Sequence, residues 1–449
     1  MQKSILLFLS TLIIINYLPA QQPAWRQASC TEGVRISDID IYYTNPDTLY
    51  ALGFPSFLLS TDNGENWNNI SSGLYHGVIS IDPFDSKRIY LNHDILPFYG
   101  NEVMKSIDGG LNWVSLFWGI GHPPTVDAPI VEIDPVDLTT VYVSKNYHNL
   151  FRSDDYGNTW DSIPLPNGNA LSSLAISSSN NNILYAGFAA PTQIFKSTDR
   201  GKTWEQLYFP LNELSGLLIC IHPQNADIVY ATVFSYGSLP GGVYKTKDGG
   251  FNWEEKNNGL TNQDLDIYEI AMNPKNPYEM FIGTGSDNHH LLFKTTDGGD
   301  NWFLFNDGLP DSAHVSSIAL DTLNGRFYTG IISSGDSSGI FFCDVSTTVG
   351  NKTIESPKTF ALLQNYPNPF NLYTMIEYVL PTSGNVSLEI FDITGRRVKS
   401  LAKNFHEAGL YRKVWNCKNC DDKQVSSGVY LFVLQADDFK KVKSAMLIK

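Results

Sequence analysis

Positive charge is scarce in this sequence: 31 Lys and Arg stand against 46 Asp and Glu, a net charge of −15. Twelve of those cations but only 8 of the acids fall in residues 361–449, which leaves 19 cations against 38 acids in the rest. An acidic body without a basic stripe argues against nucleic acid and anionic membranes as partners. Long apolar runs are missing too. The run Ile5 to Leu18 is interrupted by Ser10, Thr11 and Asn16, and a membrane span needs about 20 apolar residues. With Lys3 before it and Leu18-Pro19-Ala20 after it, the run reads as a signal peptide over residues 1–20. No transmembrane segment is expected in the mature chain. Cysteines number five: Cys30, Cys220, Cys343, and Cys417 with Cys420 in a CxxC. No second Cys or His pair lies near the CxxC, so a local disulfide or two inert thiols is expected there, not a metal or redox site.

What is present is a repeat. The pattern Ser/Thr-x-Asp-x-Gly-x-Asn/Thr-Trp occurs six times, ending at Trp67, Trp113, Trp160, Trp204, Trp253 and Trp302. Successive Trp residues are 46, 47, 44, 49 and 49 apart, the length of one four-stranded propeller blade. The chemistry of the motif suits a tight turn. Its carboxylate (Asp62, Asp108, Asp155, Asp199, Asp248 or Asp297) accepts nearby backbone N–H groups. The Gly permits positive φ, and the Trp offers a large face for burial. Six copies in like positions serve a fold better than one active site, so these Asp residues are expected to be structural.

Between the boxes lies a second periodic feature, an apolar strand, a turn and another apolar strand. The turns start at Asn45, Asp82, Asp134, Ser178, His222, Asn273 and Asp321, one more than the boxes. The last strand pair (Val315 to Ile331) is followed by a third strand, Gly339 to Cys343, and then by no box. Residues 24–28 can supply the missing outer strand and close the ring. That closure would bring Cys30 near Cys343, within reach of a disulfide. The expected fold is all-β: a seven-bladed β-propeller over residues 21–345, a linker over 346–360, and a small antiparallel β-sandwich over 361–449.

The boxes resemble those of the Asp-box (BNR-repeat) family over residues 24–345. That family includes sialidases, sortilin-type receptors, xyloglucanases and photosystem II assembly factors, so the resemblance implies a fold more than a function. The C-terminal segment is similar to the type A sorting domain of the type IX secretion system. The matching residues are Tyr366-Pro367-Asn368-Pro369-Phe370-Asn371, Phe391 to Arg396, Ala408-Gly409, Ser427 to Tyr430 and the final Lys449. Departures are Leu372-Tyr373 and the Cys417 to Cys420 insertion. The resemblance implies the type IX machinery as a partner and a final place on the surface of a Gram-negative cell or in the medium.

Strand order places the boxes and first turns on one face of the ring. The remaining loops gather around the opposite mouth of the channel, and loops on a rigid ring commonly carry function. These loops hold Phe98, Tyr99, Trp118, His122, Tyr147 and Tyr236, the candidate ligand-binding residues, with Tyr75, His76, His93, His148, His289, His290 and His314 nearby. Aromatic and imidazole rings suit stacking on sugars or gripping a peptide. A sialidase would need three converging arginines and an Arg-Ile-Pro; this chain has Arg35-Ile36-Ser37, and its Arg152 and Arg200 belong to the box face. A xyloglucanase-like enzyme uses two tandem propellers, and one is predicted here. The leading expectation is a non-catalytic binding protein for a glycan or a protein, without cofactor or metal. The alternative is a glycoside hydrolase whose carboxylate pair would come from Asp94, Asp127, Asp264, Asp266, Asp287 or Asp311. An assembly factor for exported proteins rests on fold analogy alone.

Overall fold

The computed structural model describes residues 24–74, 76–94, 101–118, 130–145, 149–166, 170–189, 191–211, 215–235, 241–286, 289–310, 314–333, 337–345, 360–363, 365, 368, 370, 374–406, 409–420, 423–436 and 439–448. Among them there is no α-helix, and no helix long and apolar enough to cross a membrane. Seven four-stranded antiparallel sheets follow one another along residues 26–344. Their innermost strands are Arg35–Ile41, Gly77–Ile81, Val131–Ile133, Ala170–Ile176, Ser215–Ile221, Ile267–Met272 and His314–Asp321. Each sheet then steps outward strand by strand, the meander that joins neighbours by short turns.

The ring closes on itself. The seventh sheet takes its outer strand from the N-terminal segment, with Arg26 opposite Phe342 and Gln27 opposite Phe341. Trp25 anchors this seam: it is 3% exposed, donates Nε1–H to the carbonyl of Phe305 at 2.8 Å, and meets that ring edge-on. The same register separates the two cysteines. Position 343 falls opposite Trp25, whereas the chain has passed Ile340 by Ala28, so Cys30 lies at the far end of the pairing. Both thiols are free, Cys30 exposed and Cys343 buried. The Cys30–Cys343 disulfide is therefore not formed: strand adjacency was foreseeable, but register decides which side chains meet. Cys417 and Cys420 are not joined by a disulfide either.

The six repeat turns are alike in detail. In the first, Ser60 Oγ donates to Asp62 Oδ1 at 2.9 Å and accepts from Gly64 N at 3.0 Å. Asn66 donates its backbone N–H to Asp62 Oδ1 and its amide to Oδ2. The residue before each Gly also has positive φ, at Asn63, Tyr156 and Arg200 as well as at glycines. A Cβ on Gly64 would stand 2.4 Å from the Tyr328 ring, so the turn backbone packs against the preceding sheet. A tyrosine there completes the joint. Tyr90, Tyr230 and Tyr328 hydroxyls donate to the carbonyls of Tyr156, Gly298 and Asn63 at 2.8–2.9 Å. Each such turn therefore fastens two neighbouring sheets, at a net worth of about 1 kcal/mol per hydrogen bond.

The C-terminal residues form a four-stranded and a three-stranded sheet. The first runs Arg397–His406, Gly384–Asp392, Gly428–Ala436, Phe439–Leu447; the second Ala361–Leu362, Thr374–Leu380, Gly409–Trp415. Trp415, Tyr378, Phe432 and Leu434 fill the core between them. Arg397–His406 is a strand that the sequence marks poorly. It is an edge strand with two register shifts against Gly384–Asp392 and carries Lys399 and Lys403, so period-two alternation is blurred there.

Candidate functional site

The innermost strands build a channel whose chemistry follows from alternation. On each, one set of residues packs between sheets (Ile39, Ile79, Val131, Ile219, Ile318) and the other faces the axis. Opposite the aromatic of each second strand (Tyr50, Tyr90, Tyr142, Tyr185, Tyr230, Phe281 and Tyr328) stand Asp40, Ser80, Glu132, Ala175, Cys220, Ala271 and Ala319. One tier nearer the mouth stand Asp38, Ser173, Glu269 and Ser317. Small polar side chains of this set tie one sheet to the next. Ser317 Oγ accepts from Ile39 N, Asp38 Oδ2 from Ile79 N, and Asp40 Oδ2 from Ile81 N, at 2.8–3.1 Å.

Four carboxyls thus share a narrow shaft. Asp38, Asp40 and Glu269 are half-buried and Glu132 is more exposed, yet protein stands close around all four, and this desolvation disfavours their charged forms. Asp40 is pushed up to about 7 by this desolvation, opposed by the N–H of Ile81 and reinforced by the charge of Asp38. Glu132 is pushed up to about 8 by desolvation and then by Asp38 and Asp40. Glu269 is raised well above the usual carboxylate range by desolvation, with Asp38 adding. Burial likewise lifts the Cys220 thiol to about 12, so it stays protonated. None of these carboxyls was among the sequence candidates. The signal was there, in Asp-Ile-Asp-Ile and Val-Glu-Ile: acids inside strands that a ring would turn inward.

At the mouth, three adjacent sheets contribute a row of rings. Phe234 stacks on Tyr268 at 5.0 Å between centroids, and Tyr268 meets His314 at 5.3 Å. All three are half-buried. His314 was expected on this rim, and so was the loop that begins at Phe234; Tyr268 was not, because it reads as an ordinary strand aromatic. Phe98, Tyr99, His122, Tyr147 and Tyr236 lie outside the described residues, as do Tyr75, His148, Asp127, Asp287 and Asp311. Trp118 ends the strand Val114–Trp118 opposite Glu102, and its side chain falls outside the description, as do those of Asp94, His289 and His290. His76 is exposed at the start of its sheet, while His93 is 5% exposed and 3.8 Å from Glu102. Asp264 accepts from Thr261 N and Oγ1 in a local turn. Arg200 reaches Asp134 and Asp137 on the opposite face. Among the described residues, no group of three His, Cys, Asp or Glu side chains is placed to hold a metal ion.

Comparison with known proteins adds a family and a set of folds. Residues 364–449 match the secretion system C-terminal sorting domain, which implies export by the type IX machinery to the cell surface or beyond. A probable oligoxyloglucan-reducing end-specific xyloglucanase from Neosartorya fischeri is 29% identical over 205 residues, 41% of this chain and 24% of the relative. A xyloglucanase from a Paenibacillus species is 25% identical over 273 residues, 49% of this chain and 26% of the relative. The chain thus spans about a quarter of the length of these relatives. Among solved structures, the GH74 xyloglucanase of Xanthomonas campestris has a TM-score of 0.56 at 12% identity, covering 93% of this chain and 75% of that one. YCF48 from Cyanidioschyzon merolae has a TM-score of 0.52 at 14% identity, covering 72% and 98%. At such identities the likeness is one of fold, a propeller.

Proposed function

We propose that this chain is an exported propeller that binds polysaccharide at the channel mouth, holding a sugar chain against the rings of Phe234, Tyr268 and His314. The observation that carries the reading is that ring row, set across three sheets on the face away from the repeat turns. Pyranose rings offer flat C–H faces that pack on aromatics, while their hydroxyls need polar partners at the rim. Seven blades over residues 21–345 form the binding body, with the six turns as Asp boxes and Asp62, Asp108, Asp155, Asp199, Asp248 and Asp297 as structural carboxylates. Residues 1–20 serve as signal peptide, 346–360 as linker and 361–449 as sorting domain. The product is a surface or secreted protein of a Gram-negative cell. Phe98, Tyr99, Trp118, His122, Tyr147 and Tyr236 are assigned to the same rim on their sequence positions.

A second reading, hydrolysis of a β-glucan, is favoured by the xyloglucanases among the relatives. One experiment separates the two. The purified full-length protein is incubated with xyloglucan and with a host glycoprotein panel, and both retention and released oligosaccharides are recorded. Retention without release supports binding. Release of defined oligosaccharides establishes the hydrolase, and silence in both channels removes both readings.

A further inference from the structure

The other end of the channel holds a second cavity, about 370 Å³, walled by the sixth, seventh and first sheets. Its apolar walls include Ile41, Met272, Leu320 and Leu323, and two acids, Asp40 and Asp321, also line it. Asp321 is 2% exposed. Its Oδ1 closes the local turn, accepting from Leu323 N at 2.8 Å and Asn324 N at 3.0 Å. Its Oδ2 is buried and accepts no hydrogen bond.

The ring supplies its own comparison. Asp82 occupies the matching place in the second sheet, and its Oδ2 accepts Arg88 at 2.5 Å. Asp134 does so in the third, where Oδ2 accepts Asn181 at 2.8 Å and Arg200 at 3.3 Å. In the seventh sheet the corresponding arginine, Arg326, turns away to Asp344 and Glu65. The donor that two sibling sites provide from within the chain is thus missing at the third. A buried carboxylate oxygen without a donor costs several kcal/mol, and a ligand can supply what the chain does not.

We propose that this cavity is a binding site for an alkylammonium group, a cationic head on a short aliphatic stem, with Asp321 taking the head and the apolar walls the stem. A lysine side chain of a partner protein and a free small amine share this chemistry, and long amine stems bury readily along apolar surface. Asp40, whose carboxyl is pushed up to about 7 chiefly by desolvation, lies on the same cavity and would ionise beside a bound cation. The glycan reading of the opposite mouth is not needed for this site.

The test uses the full-length protein and calorimetric titration with n-hexylammonium, n-hexanol, calcium chloride and the capped tripeptide Ac-Ala-Lys-Ala-NH2. Hexylammonium is expected to bind once per chain, with hexanol weaker by about tenfold or more. Asp321→Asn keeps the Oδ1 acceptor of the turn and replaces Oδ2 by a donor, so it should weaken hexylammonium by at least about tenfold. Ala271→Phe, which fills the cavity, should abolish binding while thermal unfolding confirms a folded chain. A tripeptide tighter than hexylammonium identifies a protein partner; an equal or weaker one identifies a free amine. Equal binding of hexanol, equal binding of calcium, indifference to Asp321→Asn, or no binding of either amine overturns the proposal.

Discussion

The channel carboxyls make stability depend on pH in a direction opposite to that of most acidic proteins. A raised carboxyl keeps its proton in the folded chain at a pH where the unfolded chain has lost it. Stability is then full below the unfolded value near 4 and falls as pH rises toward the folded value. Glu132 is the group to change, since Asp38 and Asp40 hold backbone N–H groups of the next sheet and it holds none of those bonds. A dry carboxyl moved from 4.5 to about 8 would lose about 5 kcal/mol of stability across that window. Glu132 is exposed to channel water, and screening reduces this to about 1–2 kcal/mol. Glu132→Gln should therefore unfold at nearly the wild-type temperature at pH 5. At pH 8 it should unfold higher, by about 2–8 °C. The assay is thermal and urea unfolding followed by tryptophan fluorescence at both pH values. Equal differences at the two values, or a variant less stable at pH 8, would refute the linkage. The repeat turns act at the other end: hydrogen bonds from Thr159 and Thr203 hold Asp155 and Asp199 down to about 2. Their contribution is present above pH 4 and is lost as pH falls toward 2.

Three further outcomes are expected. Trp25→Ala removes the bond to Phe305 and the packing of the closing strand, and should cost about 3–5 kcal/mol in urea unfolding. Tyr230→Phe deletes only the hydroxyl that reaches Gly298 at 2.8 Å, a loss of about 1–2 kcal/mol by the same measurement. Tyr268→Ala should weaken retention on an immobilised glycan about three- to tenfold, the worth of one aromatic contact, without lowering the unfolding temperature by more than a few degrees.

Much of the ring was legible because its repeat is spelled in side chains with one physical job each. Six turns against seven strand pairs located the closing strand, and Arg26–Gln27 is where that count put it. What failed were statements that depend on register or curvature. Cys30 and Cys343 sit on neighbouring strands but not opposite each other. Tyr90 and Tyr230 sit inside apolar strand runs, and nothing local marks that their hydroxyl partners are turns 66 and 68 residues away. Asp38 and Asp40 alternate with isoleucines, a pattern that in an open sheet marks a solvent side. Only closure turns that side into a channel.

The same repeat shows which of these acids the fold requires. The cross-sheet bond made by Asp38 to Ile79 at 2.9 Å is made by Ser317 to Ile39 and by Ser173 to Ile219, each at 3.1 Å. A hydroxyl therefore meets the structural need without a charge. At the tier of Glu132, sheets with Ala175, Ala271 and Ala319 close as well as those with an acid. Charge in the shaft is therefore surplus to the architecture and destabilises it above pH 4. Acids held against that cost are the sort that functional sites display. They sit between two openings, one rimmed by aromatics and one holding the unsatisfied Asp321. Asp38→Ser keeps the N–H acceptor and removes the charge, so it should leave the fold intact. The variant also gives up the Oδ1 contacts to Ile39 N and Ser317 Oγ, so a change in ligand binding at either opening belongs to the charge where the unfolding temperature does not move with it.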